Sequence, residues 1–316
     1  AIFAISRGGL NKILMTHAEK NKNVTFHFNV ECTGVDLDNI ILFLKNTVTN
    51  DYSEYKSDLI FGADGAFSEI RYELQKVDRF DYSQDYITHG YKELNIPAKN
   101  GNQFPIEKNA LHIWPRKKFM LIALPNPDGN FTCTLFLPFD GKNSFAELRT
   151  KEDVLKFFNQ EFPDVVPLMP ALVDDFFTDP ASSLCLIHCF PWSHHNKVAL
   201  IGDAAHAIVP FYGQGMIAGF EDCLVLDECI DSWKDDWNKI LMEYENSRKP
   251  NTDAIAELAL RNFIEMRDLV GNTHFHIRKK IENKIHKMHP DKFIPLYSMV
   301  SFSNIPYAEA LKKGKE

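Results

Sequence analysis

The chain has 316 residues, 45% of them hydrophobic, with a formal charge of −8, enough for one large domain or two intimate ones around a sizeable core. The acidic balance, and the lack of a basic stripe interleaved with aromatics, argue against nucleic acid as a partner. No apolar run reaches the eighteen or so residues that a membrane-spanning helix needs, and nothing at the start reads as a signal peptide.

From the first residues, Ser6-Arg7-Gly8-Gly9 leads into a helix, with Leu10, Ile13 and Leu14 at helical spacing and Ser6 placed to cap it. Residues 24–29, VTFHFN, alternate like a strand, and residues 40–43 and 54–59 read as further strands around a polar turn at 46–52. Residues 58–71, DLIFGADGAFSEIR, read as a strand ending at Gly62, an Asp64-Gly65 turn, and a helix entered through Ser68 and Arg71. Between residues 80 and 190 the character changes to short strands at 86–94, 110–115, 119–124, 131–137 and 184–190. The pair flanking the 125–130 turn carries a hairpin signal. Alternation puts Met120, Ile122 and Leu124 on one face. Residues 151–162 form a helix that Pro163 ends.

Cys185, His188, Cys189, His194 and His195 cluster in sequence, but without a paired C-x-x-C they read as structural, with no metal assigned. Six scattered cysteines fit a reducing compartment.

The stretch at 197–220, KVALIGDAAHAIVPFYGQGMIAGF, is the most informative. A buried strand ends at Gly202-Asp203, and a glycine turn, Gly213-Gln214-Gly215, precedes a helix starting near Met216. Helix N-termini carry unpaired N–H groups and a partial positive charge, and glycines allow close backbone approach. Beyond it, helices are expected at 221–230, 237–247 and 252–269, with a loop at 231–236 and a turn at 248–251 around Pro250. A basic helical segment at 274–289 follows, and then Tyr297.

GDAAHAIVPFYGQGM resembles the second flavin motif of the class A flavoprotein aromatic hydroxylases, and DLIFGADG resembles their DG motif. HIWPRKKFMLIALPN, FDYSQDYITHGYKELNIP, RNFIEMRD and FIPLYSMVSF extend the likeness along the chain, towards the branch that hydroxylates L-kynurenine. The resemblance implies an α/β fold: a Rossmann-like FAD/NAD(P)-binding domain at 1–79 and 191–245, an inserted mostly antiparallel β-sheet substrate domain at 80–190, and C-terminal helices at 246–316. It implies FAD and NADPH as cofactors, and no catalytic side chain, because the flavin carries the oxygen chemistry. Cofactor contacts fall on Arg7, Cys32, Asp64, Asp203, Gly213, Gln214, Gly215, Met216 and Ile217. Substrate contacts fall on Leu111, Met120, Ile122, Leu124, Phe136, Pro210, Phe211, Asn262, Glu265, Met266 and Tyr297. Cys32 replaces the family's more usual leucine, so a contact there would rest on the backbone; Ile217 replaces its usual asparagine, which keeps a backbone N–H contact but loses a side-chain one.

The family's opening G-x-G-x-x-G unit does not occur in the sequence, nor does the C-terminal membrane segment of eukaryotic relatives. The expectation is a chain matching the family after its first hundred or so residues, with exposed apolar surface and strand edges. Its compartment would be cytoplasmic in a bacterium and the mitochondrial outer membrane in a eukaryote. Two rival readings remain: a truncated chain unable to hold FAD, and a hydroxylase of another aromatic acid.

Overall fold

The computed structural model describes residues 4–315. In chain order the strands are β1 Val30–Asp36, β2 Ile41–Asn46, β3 Tyr52–Lys56, β4 Ile60–Gly62, β5 Asp81–Ile96, β6 His112–Pro115, β7 Met120–Pro125, β8 Phe131–Pro138, β9 Ser182–Phe190, β10 Ser193–His194 and β11 Val198–Leu200. The α-helices are α1 Arg7–Ala18, α2 Glu69–Leu74, α3 Lys151–Glu161, α4 Leu172–Thr178, α5 Asp203–His206, α6 Gly215–Trp233, α7 Trp237–Ile264, α8 Thr273–Met288, α9 Leu296–Phe302 and α10 Tyr307–Lys313. The fold is mixed α/β. No helix among the described residues is long and apolar enough to cross a membrane.

The chain divides into two compact units. One holds the residues up to Phe26, Ile87–Leu184 and Ile264–His276. Its strands belong to a five-stranded sheet ordered β6-β7-β8-β5-β9. The β7–β8 hairpin pairs Met120 with Phe136 and Ile122 with Thr134, as the 125–130 turn implied. Because side chains alternate along a strand, Leu121, Ala123, Phe131, Cys133, Leu135 and Leu137 all turn to one face, where they pack with Phe157, Phe158 and Phe162. Thr150 caps α3 with a full capping box to Asp153, so that helix starts where its sequence says it should.

The other unit holds His27–Tyr86, Cys185–Phe263 and the chain from Ile277 onward. It contains the antiparallel sheet β1-β2-β3 and a second small sheet, β10-β11-β4. There β11 and β4 run parallel, with Val198 beside Ile60 and Leu200 beside Gly62. The all-apolar run Val198-Ala199-Leu200 is fully buried, among Ile70, Leu74, Trp192, Ile240, Leu241 and Tyr244. A third cluster joins Ala218, Ile255, Leu258, Met299, Val300 and Tyr307.

The structure corrects four local expectations. Residues 24–29 are not a strand: β1 begins at Val30 and Asn29 is left-handed at φ 57°. The β1–β2 ladder starts with Val30 beside Asn46. The expected turn at 248–251 is helix, since α7 runs through Pro250 for 28 residues. Proline removes one hydrogen bond, and Arg248 and Thr252, buried on either side of it, anchor the segment. The helix before the 231–236 loop extends to Trp233. In α1, Ser6 caps the helix as expected by accepting from the Gly9 amide at 3.2 Å, but Ile13 and Leu14 are exposed and the helix buries no residue.

Candidate active site

The turn after β11 is built around a buried ion cluster. Gly202, at φ 63° and with open space on the side where a Cβ would stand, swings the chain from strand into α5. That leaves Asp203 exposed at the helix start while Ala204, Ala205 and His206 are buried. The Gly202 amide donates to Asp222 Oδ2 at 2.9 Å, and His206 Nε2 lies 2.6 Å from the same oxygen. Arg248 Nε donates to Asp222 Oδ1 at 2.7 Å, its Nη1 to Glu221 at 2.8 Å and its Nη2 to the Ala218 carbonyl at 3.0 Å. From the far side, Arg71 Nη1 donates to the Ala204 carbonyl at 2.7 Å. Burial pushes the Asp222 carboxyl up, but the hydrogen bond and charge of His206 and the Arg248 guanidinium outweigh it and hold it below its ordinary value. Burial alone would lower Arg248, and the charge of Asp222 reverses this and raises it.

Sequence reasoning passed over His206, Asp222, Arg248 and Arg71. A signal existed: the buried stripe of α6 is Ala218, Asp222, Leu226 and Cys229. A carboxylate in an apolar stripe at helical spacing implies a buried partner.

The second turn, a 3-10 turn at Pro210–Tyr212 followed by Gly213 at φ 67°, is held from several directions. Asn262 Nδ2 donates to the Phe211 carbonyl at 2.6 Å. Phe263 stacks on Phe211 with ring centroids 4.4 Å apart, and Tyr297 stacks on Tyr212 at 5.4 Å. The Tyr307 hydroxyl donates to Gln214 Oε1 at 2.8 Å. Pro210 is exposed and Phe211 buried. The turn delivers the chain to the start of α6, which no side chain caps and whose first turn holds no acid. The Gly215, Met216 and Ile217 amides find no acceptor among the described residues, and the side chains of Met216 and Ile217 are exposed. Uncapped amides at a 19-residue helix N-terminus form an anion-binding end.

Three other cofactor candidates are placed as follows. Arg7 is exposed in the first turn of α1. Asp64 Oδ2 accepts the Glu69 amide at 2.8 Å and the Ile70 amide at 3.3 Å, so it braces the entry to α2. Cys32 sits at an irregularity of the β1–β2 ladder, half-buried, with burial pushing its thiol up. Cys189 is buried, its thiol donates to the Ala205 carbonyl at 3.2 Å, and burial pushes its pKa to about 12.

In the other unit, the register puts Met120, Ile122, Leu124 and Phe136 on the sheet face opposite the phenylalanine core. Ile113, two residues beyond Leu111, pairs with Ile122 and shares that face. Tyr91, across from Phe136, adds a ring at 6.4 Å. Glu265 and Met266 lie not in the long α-helix but in a π-helical turn, Glu265–Leu269, which packs beside β6. The α-helical reading that gave Asn262 and Met266 a common face therefore stops at Ile264. Met266 is buried and Glu265 half-buried.

Among solved structures, the chain is similar to the tetrameric form of 2-methyl-3-hydroxypyridine-5-carboxylic acid oxygenase (TM-score 0.65, 23% identity, 81% of this chain and 65% of that one). It is equally similar to Klebsiella pneumoniae HpxO complexed with FAD and uric acid (TM-score 0.65, 18% identity, 90% of this chain and 68% of that one). At that distance the likeness shows the fold alone. No family model matches. Sequence relatives are much nearer. The kynurenine 3-monooxygenase of Flavobacterium johnsoniae is 52% identical over 314 residues, covering 99% of this chain and 70% of the relative. That of Sus scrofa is 48% identical over 318 residues, covering 98% of this chain and 65% of the relative. The chain belongs to the kynurenine 3-monooxygenase family.

Proposed function

We propose that this chain carries the flavin turns and the substrate wall of an enzyme that hydroxylates L-kynurenine to 3-hydroxykynurenine with FAD, NADPH and O2. The observation that supports this most is the doubly anchored 202–217 segment. Its residues fit a flat anionic cofactor: Gly202 and Gly213 carry no Cβ where the chain turns, and the uncapped amides of Gly215, Met216 and Ile217 supply positive potential. Asp203 is exposed to accept a ribityl hydroxyl, Gln214 is fixed by Tyr307, and Arg7 supplies a cation for a pyrophosphate. Asp64 and Cys32 act through the backbone turns that they support. Because the Ile217 side chain is exposed, its backbone amide serves in place of the usual asparagine.

FAD held there would supply the redox chemistry, using one hydride from NADPH and O2, with one oxygen atom going to the ring and the other leaving as water. The chain's own residues orient and dry the substrate. Leu111, Met120, Ile122, Leu124, Phe136 and Met266 give an apolar wall suited to an aromatic ring. Phe211, Pro210 and Tyr297 belong to or pack on the turn, and the Tyr297 hydroxyl, beside Ser301, is the candidate contact for a carboxylate. Asn262 acts by holding the Phe211 carbonyl, and Glu265 by its place in the π-helical turn. The test is to add FAD to the purified chain, isolate it by gel filtration and read flavin absorbance with the protein. Kynurenine-stimulated NADPH oxidation and 3-hydroxykynurenine are then measured by mass spectrometry. A folded chain that retains no flavin would refute the cofactor assignment. Retained flavin with product from another aromatic acid alone would refute the substrate.

A further inference from the structure

Three side chains of metal-ligating type, Asp38, His194 and His195, converge where the β1–β2 turn meets the β10–β11 hairpin. His194 ends β10, and the hairpin to β11 closes through Lys197 N donating to the His194 carbonyl at 3.0 Å. His195 and Asn196 are both left-handed, at φ 46° and 51°. Asparagine tolerates that conformation and histidine bears it at a steric cost. The result is two imidazoles with ring centroids 4.0 Å apart. The third group comes from the β1–β2 turn. There Asp36 Oδ1 accepts the amides of Asp38 and Asn39 at 3.0 and 2.9 Å, so the turn is made by Asp36 and not by Asp38. The Asp38 carboxylate takes no hydrogen bond among the described residues, and one ligand atom each from Asp38, His194 and His195 lies within 4.8 Å of the others.

We propose that Asp38, His194 and His195 bind a divalent late first-row transition metal, with Zn2+ as the probe. Two imidazoles and one carboxylate are donors suited to Zn2+, Co2+, Ni2+ or Cu2+ and poor for Mg2+ or Ca2+. Metal–ligand bonds of about 2.0–2.1 Å in a tetrahedron place donors roughly 3.4 Å apart, so the exposed Asp38 and His195 side chains need turn by little more than an ångström. Three protein donors leave a coordination position to water, which makes the site exchangeable. Because the hairpin is the start of β11, the ion would tie the 36–40 turn to the strand that leads into Gly202 and Asp203.

Calorimetric titration of the metal-stripped chain with Zn2+ tests this. One Zn2+ binds per chain, Mg2+ gives no binding, and the thermal midpoint rises with Zn2+. His194→Ala, His195→Ala and Asp38→Asn each weaken Zn2+ binding at least about tenfold, while His17→Ala, on the exposed face of α1, leaves it unchanged. In the wild-type chain Zn2+ protects His194 and His195 from diethylpyrocarbonate, read by peptide mass spectrometry, so the outcome does not depend on a variant folding. No Zn2+ binding, affinity unchanged in the three variants, or no protection of the two histidines would overturn the proposal.

Discussion

Asp222→Asn is the substitution that probes the turn after β11 most sharply. In the native chain Asp222 is fully buried and receives the Gly202 amide, His206 and Arg248. Removing its charge leaves the Arg248 guanidinium, 4% exposed, facing only Glu221 and the Ala218 carbonyl. Breaking a buried pair from one side costs about 3–5 kcal/mol. At roughly 2–4 °C per kcal/mol for a body of 150–250 residues, the thermal midpoint falls by at least about 6 °C. The variant also loosens Gly202, so flavin retention falls with stability. Arg248→Met in the same chain removes the stranded charge and recovers part of the loss, a coupling that a double-mutant cycle reads directly. The pH dependence has a definite sign. The folded pKa of Asp222 lies below its ordinary value of 3.8, so its contribution is complete above that value and is lost as pH falls through the lower folded pKa. Thermal unfolding by circular dichroism, from neutral pH downward, checks both. A midpoint within about 2 °C of the parent, or additive effects of the two substitutions, would refute the reasoning.

Gly213→Ala keeps open space around the new methyl but forces a left-handed backbone at φ 67°. It costs about 1–2 kcal/mol in urea unfolding, and Gly213→Asn costs less. Tyr307→Phe removes the bond to Gln214 and lowers stability by about 0.5–1.5 kcal/mol, and flavin affinity weakens with it if Gln214 fixes the turn. Phe158→Ala empties a fully buried position in the sheet-and-helix core at a cost of about 3–5 kcal/mol, read as a lowered denaturant midpoint. A smaller loss there would mean that the core collapses around the gap.

Local signals in the sequence determined much of this protein. The apolar run at 198–201 read as a buried strand, and Val198–Leu200 is one. Alternation in 119–124 and 131–137 fixed a hairpin and the common face of Met120, Ile122 and Leu124, because side-chain direction along a strand depends on nothing but position. Ser6 and Ser68 announced two helix starts, since capping is a contact between residues three apart. Literal motifs carried the family. Long-range partners were decided only by the tertiary structure. Asp222 and His206 are 16 residues apart and Asp222 and Arg248 are 26 apart, and no local rule joins an acid on one helix to an arginine on the next. Residues 24–29 had the pattern of a strand, yet the ladder begins only at Val30, while Pro250 looked like a stop yet sits inside a helix anchored on both sides. Backbone propensity acts within a few residues, whereas burial and charge pairing act across whatever the fold brings together, and that is why the turn was legible and the cluster that holds it was not.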